Sequence, residues 1–64
     1  MVKIKINDFV ITIKKIEDIE EKSVGLVENV LNEQITIFFI GNKKSIKVMK
    51  NNILLLDINH TFFY

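Results

Sequence analysis

Residues 24–40 read VGLVENVLNEQITIFFI, and this apolar stretch decides the fold of the 64-residue chain. Residues 35–40 are apolar at almost every position, which is typical of a central strand that is buried on both faces. Asn32 and Glu33 separate this strand from the apolar segment before it and indicate a tight turn, because Asn readily adopts turn conformations. The stretch therefore predicts two paired strands joined by a short turn.

A helix is the alternative for part of this region. Apolar residues between positions 16 and 31 also recur with the period of an amphipathic helix, and a helix over 16–31 would make the fold α+β. Gly25 would lie inside that helix at a cost of about 1 kcal/mol, and the valines of this segment are mediocre helix formers. The acidic residues before position 22 suit a helix amino terminus. The sequence favours the all-β fold, and the helix remains the alternative.

Strand signals also flank this central stretch. Turn signals recur every 8–12 residues or so, which is typical of a small barrel or sandwich, and the dipeptide Gly41-Asn42 indicates a two-residue hairpin. Closure of a barrel would remove the exposed sheet edges. We therefore predict a five-stranded small barrel over residues 1–58, followed by an aromatic tail at 59–64. Strand signals outside the central stretch occur at residues 2–6, 9–13, 46–49 and 53–56.

Three motifs follow one another in this chain. Asp8-Phe9-Val10 opens a strand, Val24-Gly25-Leu26-Val27 follows a long loop, and Ile35-Thr36-Ile37-Phe38-Phe39 follows a turn. This order resembles the SH3-like small-barrel superfold over about residues 6–58. Within it the chain is most similar to photosystem I subunit IV and related accessory subunits, to the Tudor-like domain of UvrD-type helicases, and to KOW domains. The resemblance concerns the fold and fixes no single family, and a fold alone does not supply a function.

Side chains that perform catalysis are few in this sequence. No Cys occurs, which excludes a thiolate nucleophile and a thiolate metal site. His60 is the single histidine, and with Asp57 it supplies too few ligands for a zinc site. Ser23 and Ser45 lack the motif of a nucleophile elbow. We therefore expect no enzymatic activity, no metal and no cofactor.

The charges are uneven although the net charge is only +1. Acidic residues concentrate between positions 17 and 21, and the aromatic tail either caps the barrel or contacts a partner. The first hypothesis is a non-enzymatic protein-interaction or structural accessory module that docks onto a larger assembly. The predicted partner-binding residues are Glu17, Asp18, Glu20, Glu21, Lys43, Lys44, Phe62, Phe63 and Tyr64.

The alternative hypothesis is a nucleic-acid-binding small barrel. Residues 34–56 contain lysines and no acids, and lysines at a hairpin contact phosphates with salt-sensitive affinity. Alternation along a strand would place these lysines on different faces, and lysine on an edge strand also guards against aggregation. The candidate phosphate contacts are Lys43, Lys44, Lys47 and Lys50, with Lys3, Lys5, Lys14 and Lys15 as a second stripe.

The sequence also predicts the compartment. Its first residues lack the apolar core of a signal peptide, and no stretch approaches the roughly 18 unbroken apolar residues of a membrane span. We expect a soluble protein that does not insert into membranes. The lack of Cys fits a reducing compartment, either the cytoplasm or an organelle stroma.

Overall fold

The computed structural model of the chain, which describes residues 3–56, contains one sheet of five antiparallel strands. The strands are β1 (Phe9–Thr12), β2 (Val24–Leu31), β3 (Gln34–Phe39), β4 (Lys44–Met49) and β5 (Ile53–Leu55). A 3-10 turn at Lys50–Asn52 joins the last two, and the order across the sheet is β4-β3-β2-β1-β5. The all-β prediction is confirmed. Within residues 3–56, no helix is long and apolar enough to cross a membrane.

The β2–β3 hairpin forms where the apolar stretch predicts it. Leu31 pairs with Gln34, so the turn between the strands consists of Asn32 and Glu33. Asn32 has a φ of 56°, in the left-handed region that Asn tolerates better than most residues. Residues 16–31 form a loop and a strand, and the alternative helix is wrong. As a strand, β2 forms hydrogen bonds with a neighbouring strand on each side.

A β-bulge divides β2 into two halves. Val27 pairs with Ile37 and Asn29 pairs with Thr36, which leaves Glu28 as the extra residue. Because the insertion shifts the alternation by one position, Val27 is buried in the core whereas Asn29 is exposed. The bulge thus decides which side chains of β2 reach the outer face of the sheet.

One hydrophobic core lies on the inner face of the sheet. All five strands contribute to it, and so does Ile19 from the loop between β1 and β2. The β3 residues alternate, with Ile35, Ile37 and Phe39 fully buried, as expected for a strand with one face on a core. The buried cluster consists of Val10, Ile19, Val27, Ile35, Ile37, Phe39, Val48 and Ile53.

Thr12 organises the long loop between β1 and β2. Its side chain is buried, and its hydroxyl donates a hydrogen bond to the carbonyl of Glu20 at 3.0 Å. The same hydroxyl accepts a hydrogen bond from the Ser23 amide at 2.9 Å. Ile16 and Ile19 exchange two backbone hydrogen bonds of 2.9 and 2.7 Å. These bonds fold the acidic segment back on itself and hold Ile19 in the core.

The prediction of a closed barrel is wrong for the described residues. In residues 3–56, β4 pairs only with β3 and β5 pairs only with β1, so the sheet is not closed by hydrogen bonds between its edges. β5 has three residues, and all three pair with β1. The inner face is covered by side chains instead, because Val48 and Ile53 from the two edge strands pack into the same core.

The strand predicted at residues 2–6 is wrong for its described part, since residues 3–8 lie outside every strand. The Lys5 amide donates a hydrogen bond to the Asp8 carboxylate at 2.8 Å, and Asn7 has a φ of 79°. This turn ends the alternating pattern before it can pair. The aromatic tail at 59–64, with Phe62, Phe63 and Tyr64, lies outside the described residues.

Candidate nucleic-acid interface

The four candidate lysines lie along the β4 edge of the sheet. Lys43 is in the loop before β4, Lys44 and Lys47 are in the strand, and Lys50 begins the 3-10 turn after it. All four are exposed. Because alternate residues of a strand point to opposite faces, Lys44 and Lys47 lie on different sides of the sheet. The four lysines therefore follow one edge without forming a single patch.

The hairpin between β3 and β4 is longer than the sequence predicts. Phe39 pairs with Lys44, so the connection has four residues, 40–43, rather than the two at Gly41-Asn42. The Phe39 carbonyl accepts hydrogen bonds from the amides of Asn42 at 3.2 Å and Lys43 at 2.8 Å. Lys43 has a φ of 54° and ends the turn. This geometry puts Lys43 at the end of the turn and Lys44 at the start of the strand.

Lys44, at the start of β4, contacts the acidic loop between β1 and β2. Its ammonium nitrogen lies 2.7 Å from Oδ2 of Asp18, although the two residues are 26 positions apart. This hydrogen bond is the main reason why the pKa of Asp18 lies below its ordinary value of 3.8. Both side chains remain partly exposed to solvent, at 44% and 63%. The acidic loop and the hairpin are therefore adjacent in the folded protein.

The remaining acidic candidates do not form a site. Glu17, Glu20 and Glu21 are exposed, and the carboxylate of Glu20 forms a 3.8 Å ion pair with Lys15. Such a surface pair contributes little to stability. Within residues 3–56, no group of three or more His, Cys, Asp or Glu side chains is close enough to hold a metal ion. Asp57 and His60 lie outside this range.

The outer face of the sheet carries a polar row that the sequence analysis missed. Asn29 pairs with Thr36, and Thr36 pairs with Lys47, so the three side chains lie side by side across β2, β3 and β4. In the next row toward the hairpin loop, the Ser45 hydroxyl donates a 2.7 Å hydrogen bond to Glu28. Alternation predicts Thr36 and Lys47 on outer faces, but only the pairing register brings them together.

An apolar area lies toward the opposite edge of the sheet. Ile11 pairs with Val24 on one side and Leu54 on the other, and Leu54 is 57% exposed. A shallow pocket of about 250 Å³ adjoins this row. Its lining residues are Ile11, Thr12, Ile13, Glu21, Lys22 and Leu54.

Comparison with known proteins links this fold to a nuclease. No protein-family model matches the chain, and no curated protein matches it. The crystal structure of the ββα-Me type II restriction endonuclease Hpy99I is similar, with 28% sequence identity and a TM-score of 0.84. The match covers 88% of this chain and 30% of the endonuclease chain. The chain thus corresponds to less than a third of that enzyme's length.

This similarity corrects two predictions from the sequence. The hypothesis of a non-enzymatic accessory module is wrong, and so is the expectation that the protein is no enzyme, because the same fold occurs within an endonuclease. The lack of a recognisable catalytic motif in a sequence does not exclude that its fold occurs within an enzyme. Motifs identify reacting groups, and a domain found within an enzyme need not contain any of them.

Proposed function

We propose that this chain is a DNA-binding β module of a nuclease. The observation that carries this proposal is the similarity to a restriction endonuclease, at 28% identity and a TM-score of 0.84 over 88% of the chain. We also propose that the sheet is an open variant of the SH3-like small barrel. Supporting this are the five antiparallel strands, the position of β1 between β2 and β5, and the single core that all strands share.

The distribution of charge supports DNA as the ligand. Residues 34–56 contain four lysines and no acid, and this segment includes the whole β4 edge. Among residues 3–56, the lysines that form ion pairs are Lys15 and Lys44, whereas Lys43 and Lys50 form none. Phosphates of the DNA backbone bind such lysines and release counterions when they do so.

Lys43 and Lys50 are the proposed phosphate contacts. They bracket β4 and are seven positions apart, which corresponds to roughly 23 Å along an extended chain. Lys44 contributes less, because Asp18 already neutralises it at 2.7 Å. Two phosphate contacts predict a salt slope of about −1.8 for the logarithm of the binding constant.

Fluorescence anisotropy with a short labelled DNA duplex tests the proposal. Between about 50 mM and about 200 mM salt, a slope of −1.8 lowers the affinity about 12-fold. Lys50→Met removes one phosphate contact and is expected to reduce the slope by about 0.9. Lys14→Met is the matched control, since it removes the same charge from an exposed lysine in the β1–β2 loop.

Two results would contradict the proposal. One is a lack of duplex binding at about 50 mM salt, where electrostatic contacts are strongest. The other is an equal loss of affinity in Lys50→Met and Lys14→Met, which would mean that net charge rather than the β4 edge governs binding. Circular dichroism of each variant checks that the sheet is intact.

A further inference from the structure

We infer that the outer face of β2, β3 and β4 reads base edges in the major groove of duplex DNA. This inference rests on the proposed function and adds the part of the DNA that is recognised. The residues that carry it are the cross-strand row Asn29, Thr36 and Lys47, which we call the reading row. Asn29 and Lys47 are exposed, and Thr36 is half-buried.

The spacing of the reading row suits a stack of base pairs. Neighbouring strands lie about 4.8 Å apart, so the outer two residues of the row are roughly 10 Å apart. Base pairs are stacked at about 3.4 Å, and the row therefore extends over about three of them. All three side chains project from paired strands, which hold their directions more firmly than a loop would.

The chemistry of the row matches the donors and acceptors of base edges. An Asn amide forms two hydrogen bonds with the N6 and N7 positions of adenine, and Lys donates to O6 and N7 of guanine. The Thr hydroxyl binds either kind of base, and its methyl group contacts the methyl group of thymine. Asn29, Thr36 and Lys47 therefore present three different recognition groups side by side.

Glu28 distinguishes base contacts from phosphate contacts on this face. Its carboxylate lies beside the reading row and is held by the Ser45 hydroxyl at 2.7 Å. A carboxylate repels phosphates, so this face is poorly suited to the DNA backbone. It does accept a hydrogen bond from the N4 amino group of cytosine, which is exposed in the major groove.

The position of the row in the fold allows it to enter a groove. Two of its three residues, Thr36 and Lys47, lie on the β3–β4 hairpin, and β4 is an edge of the sheet that no other described strand covers. The major groove is about 12 Å wide and admits a two-stranded β-ribbon. Lys43 and Lys50 flank the six residues of β4, a length of strand that extends about 17–20 Å, and in this arrangement they contact the phosphates on either side of the groove.

Selection from a library of randomised DNA duplexes tests the inference with the full chain. We expect an enriched sequence motif a few base pairs long, which then serves as the probe together with a scrambled duplex. Thr36→Val keeps the shape of the side chain and removes its hydroxyl, and Lys47→Met removes an ammonium group from an exposed position. Each is expected to lower the preference for the motif by about 5-fold to 150-fold.

Lys50→Met is the matched control, because a phosphate contact weakens binding equally for all sequences. It should lower affinity for the motif and for the scrambled duplex by the same factor. If wild-type protein binds duplexes without sequence preference, or if Thr36→Val and Lys47→Met leave the preference unchanged, the inference is wrong and the proposed function stands. If wild-type protein binds no duplex at about 50 mM salt, the proposed function itself is wrong.

Discussion

Removal of the Asp18 carboxylate should strengthen DNA binding. Asp18 holds the ammonium group of Lys44 at 2.7 Å, and Lys44 directly follows Lys43, the last residue of the β3–β4 turn. The substitution Asp18→Asn preserves the size of the side chain and removes its charge. Lys44 then becomes available to a phosphate without competition from a carboxylate within the protein.

The expected magnitude follows from one additional phosphate contact. Each such contact adds about −0.9 to the salt slope, so the slope should change from about −1.8 to about −2.7. Over a fourfold change in salt, from about 50 mM to about 200 mM, the affinity of the variant should fall about 40-fold rather than about 12-fold. The advantage of Asp18→Asn over wild type should thus be about 3.5-fold larger at the lower salt concentration.

Anisotropy titrations of wild type and variants with the same duplex provide the assay. Glu17→Gln is the matched control, because it removes one negative charge from the same exposed loop. In the double variant Asp18→Asn/Lys44→Met, the increase in affinity and the steeper salt slope should both disappear. Equal effects of Asp18→Asn and Glu17→Gln, or an unchanged salt slope in Asp18→Asn, would refute the assignment of Lys44 as a masked phosphate contact.

The same pair makes a prediction about pH. Lys44 lowers the pKa of Asp18 from its ordinary value of 3.8, so the pair stabilises the fold above that pH. This contribution disappears as the pH falls through the lowered pKa. The difference in urea midpoint between wild type and Asp18→Asn should therefore stay constant from pH 7 to about pH 5 and shrink below pH 3.8.

Two further predictions concern stability. Gly25→Ala would place a methyl group against Cγ2 of the buried Ile37 and 3.1 Å from the ring of Phe39, so it should lower the free energy of unfolding by about 1–3 kcal/mol. Gly41→Ala, which meets open space, should change it by less than about 1 kcal/mol, and equal thermal midpoints for the two variants would contradict the packing argument. Thr12→Val removes the hydroxyl that pairs with Glu20 and Ser23, at a cost of about 1–3 kcal/mol. Hydrogen exchange of the Ser23 amide should become faster, and an unchanged rate would exclude this role for Thr12.

The strands at the centre of the fold follow from local sequence. Residues 35–40 predict β3 because they are rich in β-branched and aromatic side chains, and Asn32 predicts the turn before them because it tolerates a positive φ. Val24–Leu31 forms β2 rather than part of a helix, as the low helix propensities of Gly25 and of the valines in this segment predict. Such features depend on residues that are close together in the chain.

The site depends on pairings between distant residues and required the tertiary structure. The bulge at Glu28 turns Asn29 to the outer face, and the register then sets Asn29 beside Thr36 and Lys47. Alternation alone identifies a face of one strand, but it does not identify which residues of the neighbouring strands lie opposite. The contact between Asp18 and Lys44 likewise requires a loop to fold back across 26 positions.

Local sequence alone predicts an all-β chain, a central hairpin and a segment, residues 34–56, that contains four lysines and no acid. The open edges of the sheet, the masking of Lys44 and the similarity to an endonuclease emerged only from the tertiary structure. The physical reason is that strand formation responds to local alternation of apolar residues, whereas closure, register and charge pairing are set by long-range contacts among several strands.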